Sequence, residues 1–360
     1  MNRSYKSIFN RRLGIWQVAS ELARSAGKTR GTICQSLLAI ILGTLAATAM
    51  ADVTIEGGQT VTVPGDHASP WDVGGRLFVG STSNGTLNIE AGGKVISSTG
   101  SLGVNSTGTG TVNVRGTGAT WENDVVIYVG ASGNGELNIE NGGKVSTSTS
   151  YVGVSANSIG RVNVKGIDSA WNISSTLYIG SSASATVTID NGGMVHSAST
   201  RLALDNTGSG ILNLYATGNV RGVLETGYVS KGTGAVTFNW NGGILRATGN
   251  ENNFLRNLTS SDVIIGNKGA YFDTNGYDVG LNAASLGGSG NFTKLGQGTL
   301  TLNGNSAGVL SQLKAEEATL AIAGDINSTT GVVDYTGGDI AKTATVKVEG
   351  NGSKWTNSGN

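Results

Sequence analysis

The side chains best suited to catalysis are few in this sequence and lie far apart. His67 and His196 are the only histidines, and 129 positions separate them. A Ser-His-Asp arrangement needs a histidine held between a nucleophile and a carboxylate, and neither histidine has an obvious carboxylate or cysteine partner. Cys34 is the only cysteine. Because it lies in a segment that we expect to be removed, the mature chain would have no thiol for catalysis or for a disulfide bond.

Patterns that would bind a metal ion or a phosphate are incomplete. Residues 92–95, Gly-Gly-Lys-Val, begin like the calcium-binding nonapeptide repeat, but the aspartate that this repeat requires does not follow. Residues 108–110, Gly-Thr-Gly, lack the lysine of a phosphate-binding loop. Glu90, Glu140 and Asp190 recur at equivalent positions, which a structural stack requires and a single active site does not. The sequence therefore predicts no catalytic, cofactor-binding or metal-binding residues, and we expect that the protein is not an enzyme.

The elements that position these residues follow from an internal repeat. Three copies of about fifty residues begin at Trp71, Trp121 and Trp171. Within the copies an aliphatic–polar–aliphatic triplet, such as Leu-Asn-Ile at 87–89, returns twenty-five residues later as Val-Asn-Val at 112–114. Alternation with a period of two is typical of a half-buried strand. Self-similarity at a fixed period is typical of a solenoid.

We therefore predict an all-β fold, a right-handed parallel β-helix with one turn for every twenty-five residues. Equivalent residues of successive turns would stack about 4.8 Å apart. Glycine, serine, threonine and asparagine fill the segments between the triplets, which favours tight turns over long helices. Only 13% of the 360 residues are charged and only 2 are proline, whereas a disordered chain usually has more of one or the other.

The position that follows each triplet is charged in five successive turns, and the sign of the charge alternates. These residues are Glu90, Arg115, Glu140, Lys165 and Asp190. By alternation along the strand their side chains point outward. Like charges would meet if the strands slipped by one turn, so we expect the ladder to fix the register, while each exposed pair contributes only about 0–1 kcal/mol. The alternative is that these are solvated surface charges whose signs alternate by chance.

The three tryptophans that open the copies have two interpretations. We interpret Trp71, Trp121 and Trp171 as packing aromatics that stack along the solenoid. The alternative is a stripe of exposed rings that binds carbohydrate, since an aromatic ring offers a flat apolar surface and tryptophan adds a polar N–H.

The first 51 residues have the composition of a secretory signal peptide. Seven basic residues and one acidic residue precede residue 31, an apolar run follows at 37–42, and an A-x-A site ends with Ala49 and Ala51. The apolar run is too short to span a bilayer comfortably, so we predict cleavage between Ala51 and Asp52. Removing the seven basic residues and Glu21 from 24 basic and 24 acidic residues leaves 17 and 23, a net charge of −6. That charge gives no reason to expect nucleic-acid binding.

Two segments resemble parts of known bacterial secretion proteins. Residues 1–10 (MNRSYKSIFN) and 16–24 (WQVASELAR) resemble the extended signal peptide region of Gram-negative type V secretion proteins. Residues 292–304 (FTKLGQGTLTLNG) resemble the passenger-associated transport repeat of autotransporters, although the second half of that pattern is degraded. The resemblance implies a parallel β-helical passenger that crosses the outer membrane and is displayed or released outside the cell, often as an adhesin.

These observations divide the chain into four parts. We expect an extended signal peptide over 1–51 and a regular β-helix of 50-residue repeats over 52–220. A degenerate β-helix follows over 221–325 and includes the transport repeat at 292–324. Residues 326–360 begin a further repeat and end inside it, so we expect a passenger truncated before its carboxy-terminal β-barrel.

The resemblance implies an exported adhesin or stalk in adhesion, aggregation or biofilm formation, at the cell surface or secreted if a barrel is attached. The expected partners are the export machinery of the inner membrane, and host or bacterial surface glycans or proteins, or further copies of the chain; nucleic acid is not expected. One alternative is a non-functional periplasmic remnant of an interrupted autotransporter gene. The other is a β-helical polysaccharide-degrading enzyme, for which the sequence shows no non-repeating cluster of aspartates with arginine or lysine.

Overall fold

A computed structural model describes residues 5–10, 15–20, 51–333 and 343–359. The chain forms two units, residues 1–46 and residues 47–360. In the first unit, strand β1 (Tyr5–Asn10) pairs antiparallel with strand β2 (Ile15–Ser20). Cys34 and Ala49, which the sequence analysis singled out, lie outside the described residues.

The regular part of the second unit consists of short strands separated by turns. In chain order these strands are β3 (Val53–Ile55), β4 (Gln59–Val63), β5 (Trp71–Asp72), β6 (Arg76–Val79), β7 (Asn84–Ile89), β8 (Lys94–Leu102), β9 (Thr109–Arg115), β10 (Thr120–Val129), β11 (Asn134–Glu140), β12 (Lys144–Thr147), β13 (Thr149–Val152), β14 (Ile159–Lys165), β15 (Ala170–Ile179), β16 (Ser184–Asp190), β17 (Met194–Leu202) and β18 (Ser209–Thr217).

Strands continue through the less regular part of the unit. They are β19 (Val220–Arg221), β20 (Val223–Thr226), β21 (Val229–Lys231), β22 (Ala235–Asn241), β23 (Ile244–Ala247), β24 (Leu255–Arg256), β25 (Val263–Ile265), β26 (Ala270–Asp273), β27 (Val279–Asn282), β28 (Leu286–Gly288), β29 (Phe292–Leu295), β30 (Thr299–Asn303), β31 (Val309–Ala315), β32 (Ala318–Ala323), β33 (Asp325–Val333), β34 (Ala344–Val348) and β35 (Lys354–Asn357). Among the described residues the one helical segment is a turn of 3₁₀ helix, Ala283–Ser285.

One turn of the solenoid runs from β9 through β10 to β11. Strand β9 pairs in parallel with β7 before it and with β11 after it. Val112 lies in register with Leu87 and with Leu137, which are each twenty-five residues away. Strand β10 pairs with β8 on one side and with β12 and β13 on the other, and its register shifts between Asn123 and Val126, an irregularity of the kind that bends a strand. About 12 such turns form a parallel β-solenoid, which confirms the predicted all-β fold.

The stacked turns build long parallel sheets. The triplet strands form one sheet, here called the triplet sheet, in the order β4-β7-β9-β11-β14-β16-β18-β22-β25-β28. The intervening strands, such as β8, β10, β15 and β17, pair along a second sheet, here called the long-strand sheet. A smaller sheet of β27, β30, β32 and β34 continues the stack in the last turns.

The core is the inside of the solenoid, and the aliphatic side chains of the triplets fill it. Val112 and Val114 have no exposed surface, whereas Asn113 between them is half-buried on the outside. Full burial of a valine or leucine side chain contributes roughly 1.5–3 kcal/mol, and each turn repeats that contribution. The alternation read from the sequence therefore places the aliphatics inward and the polar residues outward, as predicted.

Glycine is required where one turn approaches the backbone of the next. Gly80 has a φ of +69°, and a Cβ there would lie 2.1 Å from the carbonyl oxygen of Thr109. Gly130, one copy later, has a φ of +75°, and its Cβ would lie 2.3 Å from the carbonyl oxygen of Ile159. Positive φ disfavours residues with a side chain and no side chain fits at these distances, so the stacking itself explains this glycine of the repeat.

The repeat becomes irregular after residue 215. Met194 pairs with Val223, 29 residues later, because β18 and β19 form a small antiparallel hairpin in which Ala216 lies opposite Arg221. Strand β22 then follows β18 with an offset of 26 residues, as in the pairing of Ser209 with Ala235. The extra residues lie in turns, so the parallel pairing of the sheets continues through this region.

Candidate functional site

The tryptophans that open the three copies lie in one column but do not touch one another. Trp121 and Trp171 both pair in register with Val145, which lies between them. Neither ring has exposed surface, so both are core residues that an external glycan does not reach. Trp71 is half-buried, and its ring stacks on that of His67 at 3.9 Å. Trp121 and Trp171 thus pack in the core, and the rings do not contact one another directly, because the repeat spans two turns and a valine occupies each intervening turn.

The two buried tryptophans differ in their hydrogen bonds. Trp121 donates its Nε1–H to Ser97 Oγ at 3.0 Å, and Asn123 donates to the same oxygen. The Nε1–H of Trp171 is buried without a partner. Fifty residues after Ser97 the chain has Thr147, which donates its hydroxyl to Asn123 at 3.1 Å. The repeat therefore conserves the shape of this site but not its hydrogen bonds.

The alternating charges lie in register on the outside of the triplet sheet. Glu140 pairs with Arg115 on one side and with Lys165 on the other, and Lys165 pairs with Asp190. Arg115 Nε approaches Glu90 Oε1 at 3.9 Å, with both side chains about two-fifths exposed. Within residues 51–333, none of the other neighbours in this row forms an ion pair within 4.0 Å. That the row fixes the register of the strands stays a prediction.

A ladder of asparagine amides follows the same face. Asn113 donates its amide to Asn88 at 2.8 Å, Asn138 donates to Asn113 at 3.0 Å, and Asn163 donates to Asn138 at 2.9 Å. These are the polar residues in the middle of the triplets, so each amide donates to the turn before it and accepts from the turn after it. The result is a continuous, half-exposed row of hydrogen-bonding groups.

His196 has a carboxylate partner that residue spacing did not indicate. Its Nδ1 lies 3.1 Å from Glu225 Oε1. Glu225 Oε2 in turn lies 3.5 Å from Arg246 Nη1, and Arg246 donates its Nε–H to Asp273 at 2.8 Å. These residues follow one another in register across four turns. Among the described residues no serine or cysteine side chain bonds to the His196 ring, so the pair lacks the nucleophile of a hydrolytic triad.

A column of aromatic and basic side chains runs along the outside of the long-strand sheet. The rings of Tyr128 and Tyr151 stack at 5.4 Å, and those of Tyr151 and Tyr178 stack at 4.5 Å. Burial between its neighbours raises the pKa of the Tyr151 phenol. The next positions in register after Tyr178 are Arg201 and then Ser230. The column thus changes from aromatic to basic within two turns.

A pocket of about 270 Å³ opens beside the basic end of this column. Arg201, Leu204, Tyr228, Lys231 and Arg256 are among the residues that line it. The guanidinium of Arg256 lies over the Tyr228 ring at 3.6 Å, and Arg201 Nη2 donates to the Tyr228 hydroxyl at 3.3 Å. This hydrogen bond from Arg201 lowers the pKa of the Tyr228 phenol against the opposing effect of burial. The pocket is lined by an aromatic ring and by several cationic side chains, a combination suited to binding anionic or carbohydrate ligands.

The predicted cleavage site lies at the start of the solenoid. Ala51 and Asp52 are exposed. Arg76 donates its Nη2–H to Asp52 at 2.6 Å, and this contact lowers the pKa of the Asp52 carboxyl. Arg76 also lies over the Phe78 ring at 5.1 Å. The first residue of the predicted mature chain is thereby bound to the following turn, while the position of cleavage stays a prediction.

One comparison with known proteins identifies the amino-terminal segment. A family model described as the Extended Signal Peptide of the Type V secretion system matches residues 1–50. This confirms the resemblance seen in the sequence and indicates export across the inner membrane. No curated protein and no solved structure matches the chain.

Two further properties concern the described part of the chain. It contains no helix with the length and apolar character needed to cross a bilayer. Nor do its His, Cys, Asp and Glu side chains form a group of three or more that could hold a metal ion.

Proposed function

We propose that the exported part of this chain is a non-catalytic adhesive or spacer passenger that acts at the cell surface or after release from it. The premise is that an extended signal peptide of type V secretion, followed by a parallel β-solenoid, fits the passenger domain of an autotransporter. This combination is the observation that carries the proposal. The signal directs export, and a stack of similar turns supplies a long repetitive surface for binding.

The outer faces of the solenoid support an adhesive role. The asparagine ladder offers amide donors and acceptors along one sheet, and the tyrosine column follows another. About 12 turns at about 4.8 Å per turn give a solenoid roughly 60 Å long. Such a body can hold a binding face away from a membrane or bind neighbours along its side. The partners we propose are surface glycans, surface proteins or further copies of the chain.

The first experiment follows processing and export in a Gram-negative host. We expect the mature protein to begin at Asp52, as read by amino-terminal sequencing, and to leave the cytosol, as read by fractionation. A chain that keeps Met1 and stays in the cytosol would contradict export and with it the whole proposal.

The second experiment measures adhesion directly. Mature protein purified from that host is coupled to beads, and bead aggregation and retention on glycan arrays and on bacterial cells are measured. Beads that carry an unrelated exported protein of the same net charge serve as the control. We expect more aggregation or retention than with the control, and equal values would contradict adhesion. Release of new reducing ends from a bound polysaccharide would contradict the non-catalytic part of the proposal.

A further inference from the structure

The column on the long-strand sheet contains a gap between two arginines. Arg201 pairs in register with Ser230, and Ser230 pairs with Arg256. At about 4.8 Å per turn, the two arginine backbones lie roughly 10 Å apart. The small side chain of Ser230 fills little of the space between them, and all three residues line the pocket of about 270 Å³. The Tyr228 ring already lies against both guanidinium groups, so the open part of this gap is the pocket itself, beside Ser230.

The charges around this pocket do not cancel. Lys231 Nζ forms an ion pair with Asp262 at 2.6 Å, and Arg256 Nη2 forms one with Glu251 at 2.5 Å. Arg201 forms no ion pair within 4.0 Å with a carboxylate of the described residues; its Nη2 donates to the Tyr228 hydroxyl, and its side chain is exposed. One uncompensated positive charge thus remains beside a concave surface.

The groups around the gap are held in place before any ligand arrives. Tyr228 lies under the Arg256 guanidinium at 3.6 Å and accepts a hydrogen bond from Arg201 at 3.3 Å. The carboxylate that pairs with Lys231, Asp262, also accepts from the Thr259 backbone and hydroxyl, at 2.8 and 2.7 Å. Side chains that are already ordered lose less conformational entropy on binding, which favours affinity.

The tyrosines before the gap do not line this pocket. Tyr128, Tyr151 and Tyr178 stack with interplanar angles of 21° and 3°, so most of their ring faces cover one another. The exposed apolar group at the pocket is Leu204, 37% exposed. The pocket therefore offers a small apolar patch beside the Arg201 guanidinium, which bonds to Tyr228 but not to a carboxylate.

We propose that this pocket binds one carboxylated sugar residue, such as a uronic acid of an acidic polysaccharide, on the outside of the passenger. The proposal rests on the adhesive function proposed above and names its ligand class. A guanidinium binds a planar carboxylate through two parallel hydrogen bonds. Arg201 donates one of its five N–H groups to Tyr228 and keeps the others for this contact. The Ser230 hydroxyl and Leu204 then contact the hydroxyl groups and the apolar face of the sugar ring.

A densely sulfated glycan fits this site less well. It would need a row of cations along the column, but the positions before Arg201 in register are Tyr178 and Tyr151. A single excess charge matches one carboxylate, and binding then depends on that one contact rather than on total charge.

The test measures the affinity of the mature chain for oligogalacturonate at about 0.15 M salt, where long-range attraction between exposed charges is screened. Arg201→Ala should weaken binding roughly tenfold or more, because it removes a charge-assisted bidentate contact. Ser230→Phe, which keeps every charge but fills the gap, should weaken it as much. Arg161→Ala is the matched control, since Arg161 is exposed on the triplet sheet away from the pocket, and it should leave the affinity unchanged. Thermal melting establishes that each variant is folded.

Several results would overturn the proposal. Equal weakening by Arg201→Ala and Arg161→Ala would mean that only total charge matters. Equal affinity for oligogalacturonate and its neutral methyl ester would exclude a role for the carboxylate. Binding of dextran sulfate without binding of oligogalacturonate would exclude the ligand class. If the mature chain does not bind oligogalacturonate at all, this site is refuted, while the bead assay still decides adhesion separately.

Discussion

At the scale of single residues, Trp121 and Trp171 allow a comparison between a buried indole N–H that has an acceptor and one that has none. Both rings are fully buried in equivalent places, but only Trp121 donates to a serine hydroxyl. Substitution by phenylalanine removes the indole N–H at both positions, together with a similar amount of buried apolar surface. We expect Trp121→Phe to lower the free energy of unfolding by about 1 kcal/mol more than Trp171→Phe, the net value of a typical hydrogen bond. Urea unfolding of the two variants gives the comparison, and equal losses would show that the Ser97 contact contributes nothing.

Lys294 is a fully buried lysine in the segment that resembles the transport repeat. Burial lowers its pKa to about 8, although Asp273 and Glu317 oppose the shift, and its Nζ donates to the carbonyl of Gly296. In the unfolded chain the pKa of this lysine is near 10.5. Below pH 8 it is therefore charged in both states, and burial of the charge destabilises the folded state by its full amount. Stability should therefore rise as pH increases from about 8 towards 10.5.

Lys294→Met should remove this rise, because the buried ammonium is replaced by an apolar chain of similar length. The measurement is the urea midpoint at pH 7.5 and at pH 10 for the wild type and the variant. Lys144→Met, at an exposed lysine, is the control and should keep the rise. A wild-type midpoint that does not increase between the two pH values would show that burial of Lys294 does not limit stability.

Residue types and spacing predicted which side chains face the core but not which outer side chains meet. His196 and Glu225 are 29 positions apart, and Tyr151 lies 23 residues after Tyr128 and 27 before Tyr178. A reading based on a period of twenty-five does not connect any of these pairs. They meet because turns gain or lose residues, and turn lengths depend on packing that the sequence alone does not show.

At the scale of elements, the triplet strands were the most predictable part of the molecule. Their aliphatic–polar alternation specifies both the strand and its buried face, because a shift by one residue would expose every aliphatic side chain. The hairpin of β18 and β19 was not predictable in the same way. Strand β18 alternates as far as Ala216, but β19 has only two residues, both half-buried, and its pairing accommodates an insertion rather than forming part of the repeat.

Strand β14 allows a test of the buried face with two adjacent residues. Val162 is 1% exposed, whereas Asn163 is half-buried on the outside, where Arg161 and Lys165 flank it on the same face. Val162→Asp would bury a carboxylate without a partner, so we expect it to lose protease resistance and several kcal/mol of stability, on the order of the penalty for an unpaired buried polar group.

Asn163→Asp places the same carboxylate one residue later, on the outer face. It breaks one rung of the amide ladder, the bond to Asn138, so we expect a loss of about 1 kcal/mol. Limited proteolysis and urea unfolding compare the two variants. Similar losses in both would contradict the assignment of the inner and outer faces.

At the scale of the whole solenoid, each turn contacts mainly the turn before and the turn after. The pairing of β14 is with β11 and β16 only, and that of β32 is with β30 and β34. Repeat proteins of this kind behave as one-dimensional arrays, in which stability is the sum of terms for each repeat and its neighbouring interfaces. The number of turns was predictable from the length and the period, while the strength of coupling between turns is a property of the assembled stack.

Hydrogen exchange of Val162→Asp should reveal that coupling. Because the damage propagates through neighbouring interfaces, amide protection should fall in β11, β14 and β16 and decline with distance along the stack. Strands β30 and β32, several turns away, should keep the protection that they have in the wild type. Asn163→Asp measured in parallel should change protection only beside the broken bond, in β14 and β11. Uniform loss of protection from β11 to β32 in Val162→Asp would instead mean that the solenoid unfolds as one cooperative unit, in which a defect in any turn destabilises every binding face on its surface.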